Sequence, residues 1–167
     1  MDTPQKKNIV FRFIDMTSDV GGILSAAFLW IIAVIVTYEV FMRYAFNAPT
    51  SWVQETSVYL WMAVGLLGAA VALKNDSHFS ITIFIDKLSS KNRRRMQIFT
   101  NFLGFLYSLA FVYQGFLQAK FAYDFKDVST GLLATPLWIP WLTIPIGGIL
   151  LALQFINKIA QEFSKGK

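Results

Sequence analysis

A chain of 167 residues that is 55% hydrophobic and only 15% charged departs from the roughly 25% charged residues of an average soluble domain, and its aromatic bulk of sixteen Phe, five Trp and six Tyr exceeds what a soluble core of this length hides. Both facts point to lipid as the main solvent. With no Cys and a single histidine, His78, disulfides, thiolate metal sites and paired histidine ligands for haem or zinc are excluded; the meaning of the +5 net charge depends on where the basic residues fall.

A bilayer core about 30 Å thick needs roughly 20 apolar residues in a helix, because lipid offers no partner to open backbone groups. Four stretches meet this test and predict an all-α integral membrane protein, a single membrane domain over 1–167, with transmembrane helices at about 19–42, 53–73, 94–119 and 135–158. The first contains the uncharged run Val20 to Tyr38, longer than the roughly 7 to 15 apolar residues of a signal peptide, and is read as retained. Glu39 is the one acid expected within reach of the membrane. Arg43 follows it by four residues, so the two share a helix face in the favourable order near the outer interface. This predicts a structural ion pair at a helix end or subunit seam in preference to the proton or substrate site that an intramembrane acid can also form.

Trp52 stands where an indole anchors at the headgroups, and Glu55 opens the second helix, where a carboxylate complements the helix dipole. Gly21, Gly22, Ser25 and Ala26 in the first helix, and Gly65, Gly68, Ala69 and Ala72 in the second, give small-xxx-small spacings that permit close helix approach. After the second helix His78, beside Asp76 and Ser77, reads most simply as a satisfied interfacial histidine, although it is also placed to titrate. In the loop that follows, Ile81, Phe84, Ile85 and Leu88 repeat at helical spacing while Phe79, Ile81, Ile83 and Ile85 alternate like a strand. An isolated strand leaves its edges open near lipid. The expectation is therefore an amphipathic interfacial helix at about 79–90, followed by the Arg93 to Arg95 cluster that can meet anionic headgroups.

Beyond the third span, Lys120, Asp124, Lys126 and Asp127 form a mixed-sign set suited to orienting a charged partner. Pro136 and Pro140 are tolerated near the start of the fourth helix, whereas Pro145 with Gly147 and Gly148 is expected to bend its interior. Lys6, Lys7 and Arg12 precede the first helix, Lys74, Lys87, Lys91 and Arg93 to Arg95 separate the second from the third, and Lys158, Lys165 and Lys167 follow the fourth. Only Arg43, Lys120 and Lys126 fall in the other two loops. The positive-inside rule then places both termini and the middle loop in the cytoplasm, and a basic face for nucleic acid is the weaker reading. There is no internal repeat or low-complexity tract, no phosphate-cradling glycine loop, no nucleophile beside a base and no pair of carboxylates at working distance. No catalytic, cofactor or metal residue is predicted.

The order of these features resembles the small, Q-type membrane subunit of the tripartite ATP-independent periplasmic (TRAP) transporters over nearly the whole chain. The resemblance rests on Glu39, Arg43 and Tyr44 in E-V-F-M-R-Y, on Trp52 to Glu55 in W-V-Q-E, on His78 opening an apolar segment that carries Asp86, and on Ser129, Pro136, Trp138, Pro145 and Gly147. Arg93 to Arg95 stand where a proline-containing linker is common in that family. The resemblance implies a bacterial inner-membrane protein that assembles with a larger multi-helix subunit. In that family the larger subunit holds the substrate and sodium sites, and a periplasmic binding protein delivers an organic acid such as a sialic acid or a C4-dicarboxylate. The small subunit's part is mechanical: it widens a stationary scaffold in contact with membrane lipids. The alternative, a small proton-coupled multidrug antiporter, requires a carboxylate near mid-membrane and short loops, neither of which this chain supplies.

Overall fold

The computed structural model describes residues 9–75 and 90–164. Their regular structure is helical apart from one isolated antiparallel bridge between Val128 and Pro136. In chain order the elements are α1 (Ile9–Phe46), α2 (Ser51–Lys74), α3 (Ser90–Asp124), the single turn α4 (Trp138–Trp141) and α5 (Thr143–Ser164). Among the described residues four stretches are long and apolar enough to cross a membrane, Phe11–Phe46, Ser51–Lys74, Asn92–Asp124 and Trp138–Phe163, the architecture of an all-α membrane protein. At about 1.5 Å per residue, α1 and α3 are roughly 57 and 53 Å long, well beyond the hydrocarbon core. Their 38 and 35 residues run past the apolar stretches 19–42 and 94–119 on both sides. The expected interfacial helix at 79–90 lies outside the described residues except for Ser90, the first residue of α3.

The packing order differs from the chain order. α1 packs on α2, α2 on α5 and α5 on α3, with a lighter contact between α1 and α5, while α3 makes no comparable contact with α1 or α2. α5 is thus the central helix, and its glycines explain how two neighbours reach it. A Cβ on Gly147 would lie 2.6 Å from Leu66 Cβ on α2, and one on Gly148 would lie 3.0 Å from Val112 Cγ2 on α3. Between α1 and α2, Gly22 receives Val71, and Ser25 Oγ donates to the Val64 carbonyl at 3.0 Å. Gly65, grouped by spacing with these residues, faces open space.

Buried positions are occupied mostly by small side chains, among them Ala63, Ala70, Ala119, Ala122, Ala152, Ser18 and Ser108, while Trp30, Ile23, Tyr107 and Tyr113 point outward. Water would penalise such an arrangement; in lipid, close backbone approach is what holds helices together and large apolar side chains lose nothing by facing out.

The fourth span departs from expectation. It starts at Trp138 rather than 135, and instead of one helix bent inside at Pro145 it is two pieces. Leu142 separates α4 from α5, and Pro145 falls in the first turn of α5, where a proline's missing N–H leaves no helical bond unmade. Thr143 Oγ1 donates to the Pro140 carbonyl at 2.7 Å across the junction.

Candidate functional site

The segment between α3 and α4 is built by its ends. α3 stops in a Schellman arrangement: Asp127 N donates to Ala122 O at 2.9 Å and Lys126 N to Tyr123 O at 3.2 Å, with Lys126 left-handed at φ 52°. The chain then doubles back. Leu137 N donates to Asp127 O and Ser129 N to Thr135 O, both at 2.9 Å, around the Val128–Pro136 bridge. At its tip Ala134 N donates to Gly131 O at 3.1 Å.

This loop closes over Glu55 of α2. The Ser129 hydroxyl donates to Glu55 Oε1 and accepts from Thr135 N–H at 3.2 Å, so one oxygen closes the loop on itself and ties it to the helix. Tyr59, one turn beyond Glu55, donates to the same carboxylate oxygen at 3.2 Å. Gly131 lies directly against the carboxylate, since a Cβ there would meet Glu55 Oε2 at 2.1 Å. Of the residues singled out by sequence, the structure brings together Glu55, Ser129 and Pro136. Glu55 is the fifth residue of α2, just past its first turn, and its carboxylate is engaged by hydroxyls from its own helix and from a loop 74 positions away.

The remaining candidates are dispersed around the same end. Arg43 Nε lies 3.7 Å from Glu39 Oε1, and its guanidinium sits over the Tyr44 ring at 5.2 Å. Trp52 packs on Tyr38 of α1 with ring centroids 6.3 Å apart. Lys120, Asp124 and Lys126 are exposed and Asp127 is half-buried. His78 lies outside the described residues.

At the opposite end of the bundle is a second polar cluster that sequence reading missed. Gln154 and Asn157 of α5 are each 1% exposed. Gln154 Nε2 donates to Ser18 Oγ at 2.7 Å and to Ile14 O at 3.3 Å, and Asn157 Nδ2 donates to Asp15 Oδ1 at 2.8 Å. Gln161 Nε2 extends the chain to Asn157 Oδ1 at 3.0 Å. Alongside, Lys74 of α2 bonds the Asp15 carbonyl at 3.3 Å and pairs with Asp19. These bonds join α1, α2 and α5 in one network.

Comparison with known proteins decides the family. The family model for "Tripartite ATP-independent periplasmic transporters, DctQ component" matches residues 32–165. The chain belongs to the DctQ family. Among curated relatives, this DctQ-family chain is 25% identical over 142 residues to the sialic acid TRAP transporter small permease protein SiaQ of Vibrio cholerae serotype O1, covering 85% of this chain and 80% of that one. It is 23% identical over 172 residues to the C4-dicarboxylate TRAP transporter small permease protein DctQ of the same organism, covering 90% and 74%. It also matches the sialic acid TRAP transporter permease protein SiaT of Haemophilus influenzae at 27% over 150 residues, 88% of this chain but only 23% of that longer protein.

Among the described residues no three His, Cys, Asp or Glu side chains gather as ligands for a metal ion. What the DctQ-family chain builds at its two ends are fasteners. The loop clasp holds the α3–α4 loop over α2, and the opposite network links α1 with α5. Tyr59 was within reach of sequence reasoning, four residues after Glu55, as were Gln154 and Asn157, two amides three residues apart in an apolar span. Gly131 carries no such signal.

Proposed function

We propose that this chain is the stationary scaffold subunit of a sodium-driven importer, in which a large permease subunit moves an organic acid of the sialic acid or C4-dicarboxylate type delivered by a periplasmic binding protein. The observation that carries the reading is the division of side chains. The polar groups of the described spans are largely bonded to one another, while large apolar side chains of α1 and α3, such as Trp30, Ile23, Tyr107 and Tyr113, face outward. That is a surface for lipid and a helical partner, and not a conduit. In the relative SiaT the matched segment is about a quarter of one longer permease, which favours a fixed neighbour for the present chain. The relatives named for sialic acid and for C4-dicarboxylate match at 25% and 23% identity, so the solute is stated as a class.

The basic residues give the orientation: termini and middle loop in the cytoplasm of a bacterial inner-membrane protein, with the Glu55 clasp on the periplasmic face. Because the chain has no native Cys, Asn47→Cys, Lys91→Cys and Gly166→Cys test this in intact cells with a membrane-impermeant thiol reagent. Asn47→Cys should label and the other two should not; the converse pattern inverts the topology. For the function, the complete transporter in proteoliposomes should take up labelled sialic acid or dicarboxylate when an inward sodium gradient is imposed, and lose that uptake when potassium replaces sodium. Undiminished uptake without sodium removes the coupling, and full-rate transport by the large subunit alone removes the scaffold role.

A further inference from the structure

The end of α3 that carries three consecutive arginines meets the end of α5, and adjacent arginines there are used differently. Arg94 is committed to α5, its Nε donating to Glu162 O at 2.7 Å and its Nη2 to Phe163 O at 3.2 Å, so it covers the last carbonyls of that helix. Arg95, about 100° further round the helix, is exposed and stands at the mouth of a groove of about 400 Å³ between the two helices. On α3 the lining follows helical spacing, Arg95, Ile98, Phe99 and Phe102, and on α5 it is Ile159 and Phe163. Deeper in the bundle the helices close up: a Cβ on Gly104 would lie 2.3 Å from the Phe155 ring. The groove is therefore an apolar slot between α3 and α5, bordered by the Arg94 clamp and carrying one guanidinium.

We propose that this slot binds one anionic phospholipid, with an acyl chain along Ile98, Phe99, Phe102, Ile159 and Phe163 and the phosphate on Arg95. Three observations select this occupant. Arg95 immediately precedes the uncharged run Met96 to Ala119, so its side chain lies at the level of the hydrocarbon boundary, where lipid phosphates lie. Guanidinium offers a planar fork that matches a phosphodiester, and the charge of Arg95 favours an anionic headgroup over a zwitterionic one. The volume suits a chain-sized ligand and is small for a partner helix about 10 to 12 Å across.

Native mass spectrometry of the full chain, alone and assembled with its large subunit, tests the site by titration with phosphatidylglycerol, phosphatidylcholine or inorganic phosphate. Phosphatidylglycerol should form a single retained adduct, bound about fivefold more tightly than phosphatidylcholine, which is the effect of roughly one favourable charge near the membrane surface. Arg95→Gln should erase that preference while Arg93→Gln, with the same change in charge, keeps it, and Ile98→Trp should remove the adduct by filling the slot. Arg95 is exposed, so its variant is readable even if the tryptophan disturbs folding. Equal binding of the two lipids, equal effects of the two arginine variants, or an adduct that survives Ile98→Trp overturns the site. Competition by inorganic phosphate at matched concentration makes it an anion site instead, and loss of the adduct on assembly gives the slot to the large subunit.

Discussion

Ser129 holds its loop with one hydroxyl that serves two bonds, accepting from Thr135 N–H and donating to Glu55. Ser129→Ala removes both and leaves the closing backbone bonds in place, so the loop should open more often without the bundle melting; limited proteolysis between Lys126 and Thr135 should accelerate several-fold. Gly131→Ala should do at least as much, because its Cβ would displace the carboxylate to which Ser129 and Tyr59 both donate. The two variants combined should be little worse than either alone, since each breaks the same assembly; additive effects would separate glycine from clasp. Glu39 is a different case. Its pairing with the half-exposed Arg43 is worth only about 0.3 to 0.5 kcal/mol in water, but becomes larger if a partner subunit covers it. Glu39→Gln should therefore lower the yield of assembled transporter before it alters sodium dependence, and a normal yield with a changed sodium stoichiometry would assign Glu39 to coupling.

At the scale of helices, the sequence is most informative where lipid leaves no choice. Each of the four apolar runs had to become a helix because backbone groups cannot remain open in hydrocarbon, so the number of long helices follows directly. Which faces meet was less legible, since lipid-facing and partner-facing positions are both apolar and give no amphipathic stripe. Gly65 and Gly68 have the same spacing signal, yet only Gly68 meets α1, through Ser25. Pro145 pointed to an interior bend because nothing in the sequence announces that helix formation restarts at Thr143. Likewise Glu55 and Ser129 are 74 positions apart, a pairing that no local pattern encodes. The glycine contrast is testable. Gly147→Ala should push α5 from α2 and cost about 1 to 3 kcal/mol by overpacking, while Gly65→Ala, facing open space, should change stability by no more than about 1 kcal/mol and in the favourable direction. Thermal unfolding in one detergent measures both, and equal losses would contradict the packing of α5.

The whole molecule presents one end on which the clasp, the α1–α2 turn and the exposed charges of the α3 terminus lie together, and we propose that the periplasmic binding protein touches this end. The reading rests on rigidity as well as charge: the loop is tied to α2 at Glu55, so Lys126 and Asp127 are displayed at the mouth of a fixed hairpin. Their exchange is also structurally tolerable. Lys126 occupies a left-handed position at φ 52°, which aspartate adopts more readily than lysine, and Asp127 holds the hairpin through its backbone carbonyl. The double variant Lys126→Asp with Asp127→Lys should therefore preserve the yield and melting temperature of the membrane complex. Charges at the rim of an interface act mainly on encounter rate, and at about 0.15 M salt they are felt within roughly 8 Å. Delivery in proteoliposomes should thus slow several-fold at limiting binding protein and low salt, recover as binding protein is raised toward saturation, and converge on the parent rate as ionic strength increases. A defect that persists at saturating binding protein would place these charges in the transport cycle, and unchanged transport at every concentration, with the complex intact, would take them out of the docking surface.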